Sequence, residues 1–271
     1  MQNNGEESLK AIKKAQKIVP FAPEGEEIKN KILERLSSNK ETTNNLENAY
    51  LAIENEDWER SFYHLSKIID SKKNSKFIAA VTYLPEKYRS KFGDIKQFNP
   101  QHLVKCKRFL DPSDEIIQSL IKLIKNNSTL VWNRPEKPTK NGFQTHEILA
   151  DNKSNISNLI YGRLLKIAIN YLNEFMDFNN NFGEINLKLS GWAVVLNSEG
   201  KQERHIHPDS LVSGVLYLKV PKIVSDKTNT QGNLYFPSNK KLSIVPSVGD
   251  LLIFPSYLPH ETIPFTSSEE R

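Results

Sequence analysis

Six histidines are spread along the chain, at 64, 102, 146, 205, 207 and 260, and two of them read His205-Ile206-His207. In a β-strand, residues i and i+2 point to one face, so these two imidazoles can address one point. Imidazole is the commonest metal-binding side chain and suits iron, zinc, copper or nickel. Two solvated histidines at a strand end, beside the charged stretch SEGKQER, would give the same spelling without chemistry. His260 adds a third candidate. It closes GDLLIFPSYLPH, where the apolar run 251–254 carries the chain through Pro255 into a turn. A third imidazole can thus arrive from a different strand. Cys106, the single cysteine, stands four residues after His102 on an expected helix with no orienting acid, and reads as packing. No GxSxG, phosphate-cradling Gly loop or GxGxxG occurs in the chain.

The elements that must position these residues follow from periodicity. Leu9, Ile12, Ala15, Gln16 and Val19 recur at helical spacing and run into a breaker at 20–23. Helices are expected at 28–36, 46–53 and 58–69, the last with Trp58, Phe62, Leu65 and Ile69 on one face. Asp111-Pro-Ser-Asp reads as a helix start, with Ile116, Ile117, Leu120, Ile121 and Ile124 behind it. TLVWNRPEKPTKNGFQTHEIL reads as a polar loop, and 156–178 as another helix. After Asn179 the texture changes to short β-type runs, INLKLSGWAVVL, SGVLYLKV, NLYFP, LSIVP and GDLLIFPS, separated by turns on Gly200, Pro221, Gly232, Pro237 and Gly249. The expected fold class is α+β: a helical region over 1–95, then a domain over 96–271 with helices leading into a small all-β sandwich or barrel.

Composition bounds the alternatives. The chain has 271 residues, 37 Lys plus Arg against 32 Asp plus Glu, and one Cys. One cysteine excludes an internal disulfide framework and a cysteine-based zinc or iron–sulfur site within one chain. The net charge of +5 comes from scattered Lys with no run of five basic residues, so no nucleic-acid partner is expected. No stretch approaches about 20 continuous apolar residues, and the N-terminus lacks the apolar core of a signal peptide. No membrane association is expected, and a cytoplasmic location is the default.

Two resemblances add to this reading. LENAYLAIENEDWERSFYHLSKIIDSKKNSKFIAAV, like SLKAIKKAQKIVPFAPE before it, resembles a degenerate tetratricopeptide-type repeat, with a plain helical bundle as the alternative. Either would be a packing element or a surface for a protein partner. HIHPDSLVSGVLYLKVP, GNLYFP and VGDLLIFPSYLPHETIPFTSSEER resemble the 2-oxoglutarate- and Fe(II)-dependent oxygenase superfamily, most closely a bacterial and phage branch with an H-x-H-P…SGV-Y-L pattern. The likeness covers about residues 110–271. It implies a double-stranded β-helix (jelly-roll, cupin-like) domain, with Fe(II), 2-oxoglutarate and O2 as cofactors and co-substrates.

Carried over residue by residue, that resemblance makes His205, His207 and His260 the metal ligands. The superfamily's first motif is H-x-D/E, so His207 stands where an acid is usual. Asp209, in His207-Pro-Asp, is the alternate ligand or an orienting group. Arg271, eleven residues after His260, matches the cation that grips the distal carboxylate of 2-oxoglutarate. It is also the last residue, whereas the family continues with a further strand, so a C-terminal fragment is one reading. Tyr217 could hydrogen-bond the co-substrate or be structural, and Trp192 is expected to pack the core. Loops 134–146 and 221–231 are expected to border the pocket. The implied function is a dioxygenase hydroxylating a small molecule or a protein side chain. The alternatives are a cupin-like metal-binding protein or isomerase, and a non-catalytic helical-repeat interaction protein.

Overall fold

The structure, a computed structural model, describes residues 23–68, 74–149, 155–176 and 187–271. The chain divides into two compact units, Met1–Ala80 and Val81–Arg271. The turns between 81 and 95, read as part of the helical region, therefore go with the second unit. The expected helix around Leu9–Val19 lies outside the described residues.

The first unit holds helix α1 (Pro23–Glu54), helix α2 (Trp58–Ser66) and most of helix α3 (Ser75–Tyr83). The sequence suggested two helices, 28–36 and 46–53, with a break between them; the chain instead runs through 37–45 as one helix. The reason is local. No Gly or Pro interrupts that polar stretch, and its Thr and Asn side chains bond back along the helix, Thr43 to the Asn39 carbonyl at 3.0 Å and Asn48 to the Asn44 carbonyl at 2.9 Å. A turn with Glu56 at φ 56° reverses the chain, and the Asp57 carboxylate caps α2 by accepting from the Arg60 amide. The result is a helical hairpin, a form shared by plain bundles, and the repeat reading gains no support from it.

The second unit mixes helices and antiparallel sheet. Helical turns α4 (Glu86–Arg89) and α5 (Pro100–Leu103) precede strand β1 (Lys105–Arg108), helix α6 (Glu115–Lys125), strands β2 (Val131–Trp132) and β3 (Thr139–Gln144), and helix α7 (Asn155–Met176). Then come β4 (Val194–Gln202), β5 (Val212–Leu216), the short helix α8 (Lys222–Ser225), β6 (Leu234–Phe236), β7 (Leu242–Ile244), β8 (Asp250–Pro255) and β9 (Glu261–Thr262). Three sheets of three strands form, in the orders β1-β8-β5, β2-β3-β4 and β7-β6-β9.

Three expectations need correction. Cys106 lies on β1, paired with Leu252, and not on a helix. The supposed loop after Thr129 folds as the β2–β3 hairpin, with Trp132 opposite Phe143. Of the strand expected at 185–196, the described residues 187–193 are not strand; it starts at Val194 and runs on through SEGKQ. For β1 with β8 and β3 with β4, hydrogen bonding to a sequence-distant strand outweighs a polar local spelling.

Strand β8 is central. Leu251, Leu252, Ile253 and Phe254 are all buried, so both faces are covered, as its unbroken apolar run requires. Leu251 packs with Phe109, Leu110, Ile117 of α6 and Ile160 of α7, and Ile253 with Ala168 and Tyr171 of α7. Leu252 and Phe254 point the other way, into a cluster with Tyr217, Leu234, Phe236 and Leu258. Gly249 starts β8 at φ +82°, and a Cβ there would lie 2.1 Å from the Leu110 carbonyl oxygen. Only glycine fits that close approach.

Beyond β8 the C-terminal segment runs antiparallel along β4. His260 exchanges backbone hydrogen bonds with His205, the Glu199 amide donates to Phe265, and Leu196 exchanges bonds with Arg271. On its other side, Ile263 bonds Gly232 and Asn233 next to β6. One extended segment thus carries both His260 and Arg271.

Candidate metal centre

The three histidines of the β-rich region converge. One ligand nitrogen from each of His205, His207 and His260 lies within 4.8 Å of the others, and among the described residues this is the one such group of potential ligands. Ring centroids are 4.3 Å apart for His205–His260, 4.9 Å for His205–His207 and 5.2 Å for His207–His260. The backbone explains the convergence. His205 and His260 face each other across an isolated antiparallel bridge with two hydrogen bonds of 3.1 Å, and the His207 amide donates to the Ser256 carbonyl at 3.0 Å. His205 and His207 follow β4 and lie in no regular strand, so the expected ladder is reduced to this bridge. The extended backbone still turns both rings the same way.

Two tautomers follow from the hydrogen bonds. His205 Nδ1 lies 2.6 Å from the Glu203 carbonyl and His260 Nδ1 lies 2.9 Å from the Leu258 carbonyl. A carbonyl can only accept, so each Nδ1 carries the proton and each Nε2 presents a lone pair. Such anchoring is how metal-binding imidazoles are oriented. Burial pushes all three titrations down: His260 to about 3, His207 to about 4, the latter helped by His205 and then by Lys137. His205 is lowered too, again by burial, against the Glu203 carbonyl. Near neutral pH the centre is three uncharged imidazoles, the state that binds a metal ion.

The walls differ in character. His260 is buried against Phe254, with centroids 4.8 Å apart, and Phe236 at 6.2 Å. His207 faces Trp192 at 5.6 Å. Trp192 was expected in the core, but 43% of it is exposed, and it borders the accessible side of the histidines. Lys137 belongs to the expected border loop 134–146. The Pro138 carbonyl accepts from the Glu203 amide, fixing that loop beside the His205 segment. In the sequence Lys137 reads only as part of that loop, and Trp192 as a core residue. Asp209 sits in an exposed turn outside the cluster of ligand nitrogens. No carboxylate joins the three imidazoles among the described residues.

Tyr217 and Arg271 meet elsewhere on the same buried cluster. The Arg271 guanidinium carbon lies 5.0 Å from the Tyr217 ring centroid, and its Nη1 donates to the Gly232 carbonyl. Tyr217 is 4% exposed, and its hydroxyl is buried without a hydrogen-bond partner. Burial lowers the affinity of Arg271 for its proton, opposed by Tyr217, and raises that of the Tyr217 phenol. The terminal Arg is therefore no solvated tail. It is a partly buried cation beside the buried Tyr217 hydroxyl.

Comparison with known proteins bears on this arrangement. Residues 190–271, which contain all five of these residues, match the family model described as "Putative 2OG-Fe(II) oxygenase". Over this segment the chain is similar to 2-oxoglutarate- and Fe(II)-dependent oxygenases, the family its motifs resemble. Iron(II), 2-oxoglutarate and O2 are what that family uses. No curated protein matches the chain. Among solved structures, a Pseudomonas putida prolyl-4-hydroxylase is similar at 17% identity and a TM-score of 0.47, over 62% of this chain and 87% of that one. HygX from Streptomyces hygroscopicus, with nickel and 2-oxoglutarate bound, is similar at 10% identity and a TM-score of 0.42, over 62% of this chain and 79% of its own. OsALKBH1 is similar at 15% identity and a TM-score of 0.37, over 60% and 86% respectively. No helix among the described residues is long and apolar enough to cross a membrane.

Proposed function

We propose that the second unit is an Fe(II)- and 2-oxoglutarate-dependent oxygenase domain of double-stranded β-helix form, with His205, His207 and His260 as the iron ligands. The observation that carries this is the convergence of three neutral imidazoles, two of them pre-oriented by backbone carbonyls. Three nitrogen donors on one side of an ion leave positions for a co-substrate and O2. Iron with 2-oxoglutarate and O2 would supply hydroxylation, one oxygen atom going to a substrate C–H bond and the other to succinate as CO2 leaves.

The chain's own residues bind and exclude. Arg271 would grip the distal carboxylate of 2-oxoglutarate through its planar fork, with the Tyr217 hydroxyl as a second donor. A partly buried guanidinium with one carbonyl bond, beside a buried hydroxyl, is an environment that a carboxylate completes. Phe236 and Phe254 close the back of the centre to water, and Trp192 with Lys137 flanks the side open to substrate. The substrate is a small molecule or a protein side chain, and the helical unit is a surface for a protein partner.

The all-histidine donor set favours a second reading, a cupin-like metal-binding protein, because three imidazoles also suit zinc or nickel. Anaerobic addition of Fe(II) and 2-oxoglutarate separates the two. A weak visible charge-transfer band, absent in His260→Ala, is the expected result; stoichiometric iron binding without the band would favour the cupin-like reading.

A further inference from the structure

We propose that Arg204, Glu261 and Tyr83 are positioning residues for the metal centre, clamping from behind the single residue pair that brings His205 and His260 together. The inference rests on the metal-centre reading above. His205 and His260 come from segments far apart in sequence that meet at an isolated bridge, with no ladder through His205 on the β4 side. Two hydrogen bonds of 3.1 Å hold that bridge. A slip or twist there would move two of three ligands at once.

The neighbours of the bridge answer that weakness. Side chains alternate along extended backbone, so Arg204 and Glu261 project to the face opposite the imidazoles. There Arg204 Nη2 lies 3.0 Å from a Glu261 carboxylate oxygen. The Tyr83 hydroxyl stands against the same guanidinium, and Tyr235 lies opposite Glu261 in the β6–β9 register. A cross-strand ion pair on one face therefore locks the register of a metal-ligand pair on the other. The Arg204 and Glu261 side chains are 51% and 25% exposed, and exposed pairs of this kind add little to global stability. Their effect belongs in the geometry of the two ligands, where groups supporting a metal ligand typically change affinity about 10- to 100-fold.

The test is a Co(II) titration of the full chain followed by its visible spectrum, beside thermal melts of the metal-free protein. Glu261→Gln and Arg204→Met should each weaken Co(II) binding about tenfold. The double variant should be no worse than about the larger single effect, because the residues act as one unit. Tyr83→Phe should show a smaller loss, Arg204→Lys should recover most of the affinity, and the metal-free melting temperature should move by less than about 4 °C. Unaltered affinity in both Glu261→Gln and Arg204→Met would overturn the inference. So would a loss in Arg204→Lys as large as in Arg204→Met with an equal fall in melting temperature, because that marks a purely structural role. If a substituted chain fails to fold, Arg204→Lys and Tyr83→Phe carry the decision. Absence of Co(II) binding by the unaltered protein would overturn the metal-centre reading, and this inference with it.

Discussion

Replacing Arg271 by Gln isolates the proposed grip on 2-oxoglutarate. The guanidinium is partly buried, it donates to the Gly232 carbonyl, and it lies beside the buried Tyr217 hydroxyl. Removing one partner of a buried charge pair costs about 2–5 kcal/mol. Taking about 3 kcal/mol, and about 1.4 kcal/mol per factor of ten, Kd for 2-oxoglutarate should rise roughly 150-fold. The assay is an anaerobic titration of the Fe(II)-loaded protein, following the charge-transfer band. Pyruvate is the internal control, because it carries the same keto-acid head and lacks the distal carboxylate. Its affinity should be the same in the unaltered and Arg271→Gln proteins, and Arg271→Lys should recover part of the loss for 2-oxoglutarate alone. An equal weakening of pyruvate and 2-oxoglutarate would refute the reasoning, because Arg271 would then act on the fold or on the metal.

Three further outcomes follow. Tyr217→Phe should weaken 2-oxoglutarate about tenfold in the same titration, from one lost bond of about 1.5 kcal/mol. The metal-free protein should lose stability on acidification: His260 and His207 titrate at about 3 and about 4 when folded, and at about 6.5 when unfolded, so the unfolded chain binds protons first. Stability present above about pH 6.5 should fall by about 1.4 kcal/mol per pH unit for each such proton, a loss complete below about pH 3 and measurable by urea melts at pH 7 and pH 5. Gly249→Ala should cost at least about 2 kcal/mol from its left-handed φ and the clash with Leu110, which a scan would record as a fall of roughly 4–8 °C.

What could be read from the chain alone follows a physical divide. The apolar runs of β5, β6, β7 and β8 announce themselves, because a strand packed against a core needs apolar side chains. The convergence of His205, His207 and His260 could be anticipated from residue type and spacing. Strands β1, β2 and β3 are spelled KCKR, VW and TKNGFQ. β1 and β3 exist because the distant strands β8 and β4 supply hydrogen bonds, and β2 because it pairs with β3; no local pattern encodes that. The continuity of α1 through SSNKETTNN was hidden for the converse reason, since side-chain bonds back to the helix offset its poor propensity. Trp192 misled because its size suggests a core while the fold leaves it beside His207. Arg204 and Glu261 were visible only as charges flanking two histidines; their pairing depends on the register of a bridge that only the fold defines.

The central claim is that three imidazoles, with no carboxylate, hold the metal. Equilibrium dialysis against Fe(II) without oxygen tests it most directly, using the unaltered protein and Ala substitutions at His205, His207, His260 and Asp209. One ion per chain, lost in each histidine variant and kept in Asp209→Ala, is the predicted result. Loss in Asp209→Ala with retention in His205→Ala, or no ion bound by the unaltered chain, would contradict it.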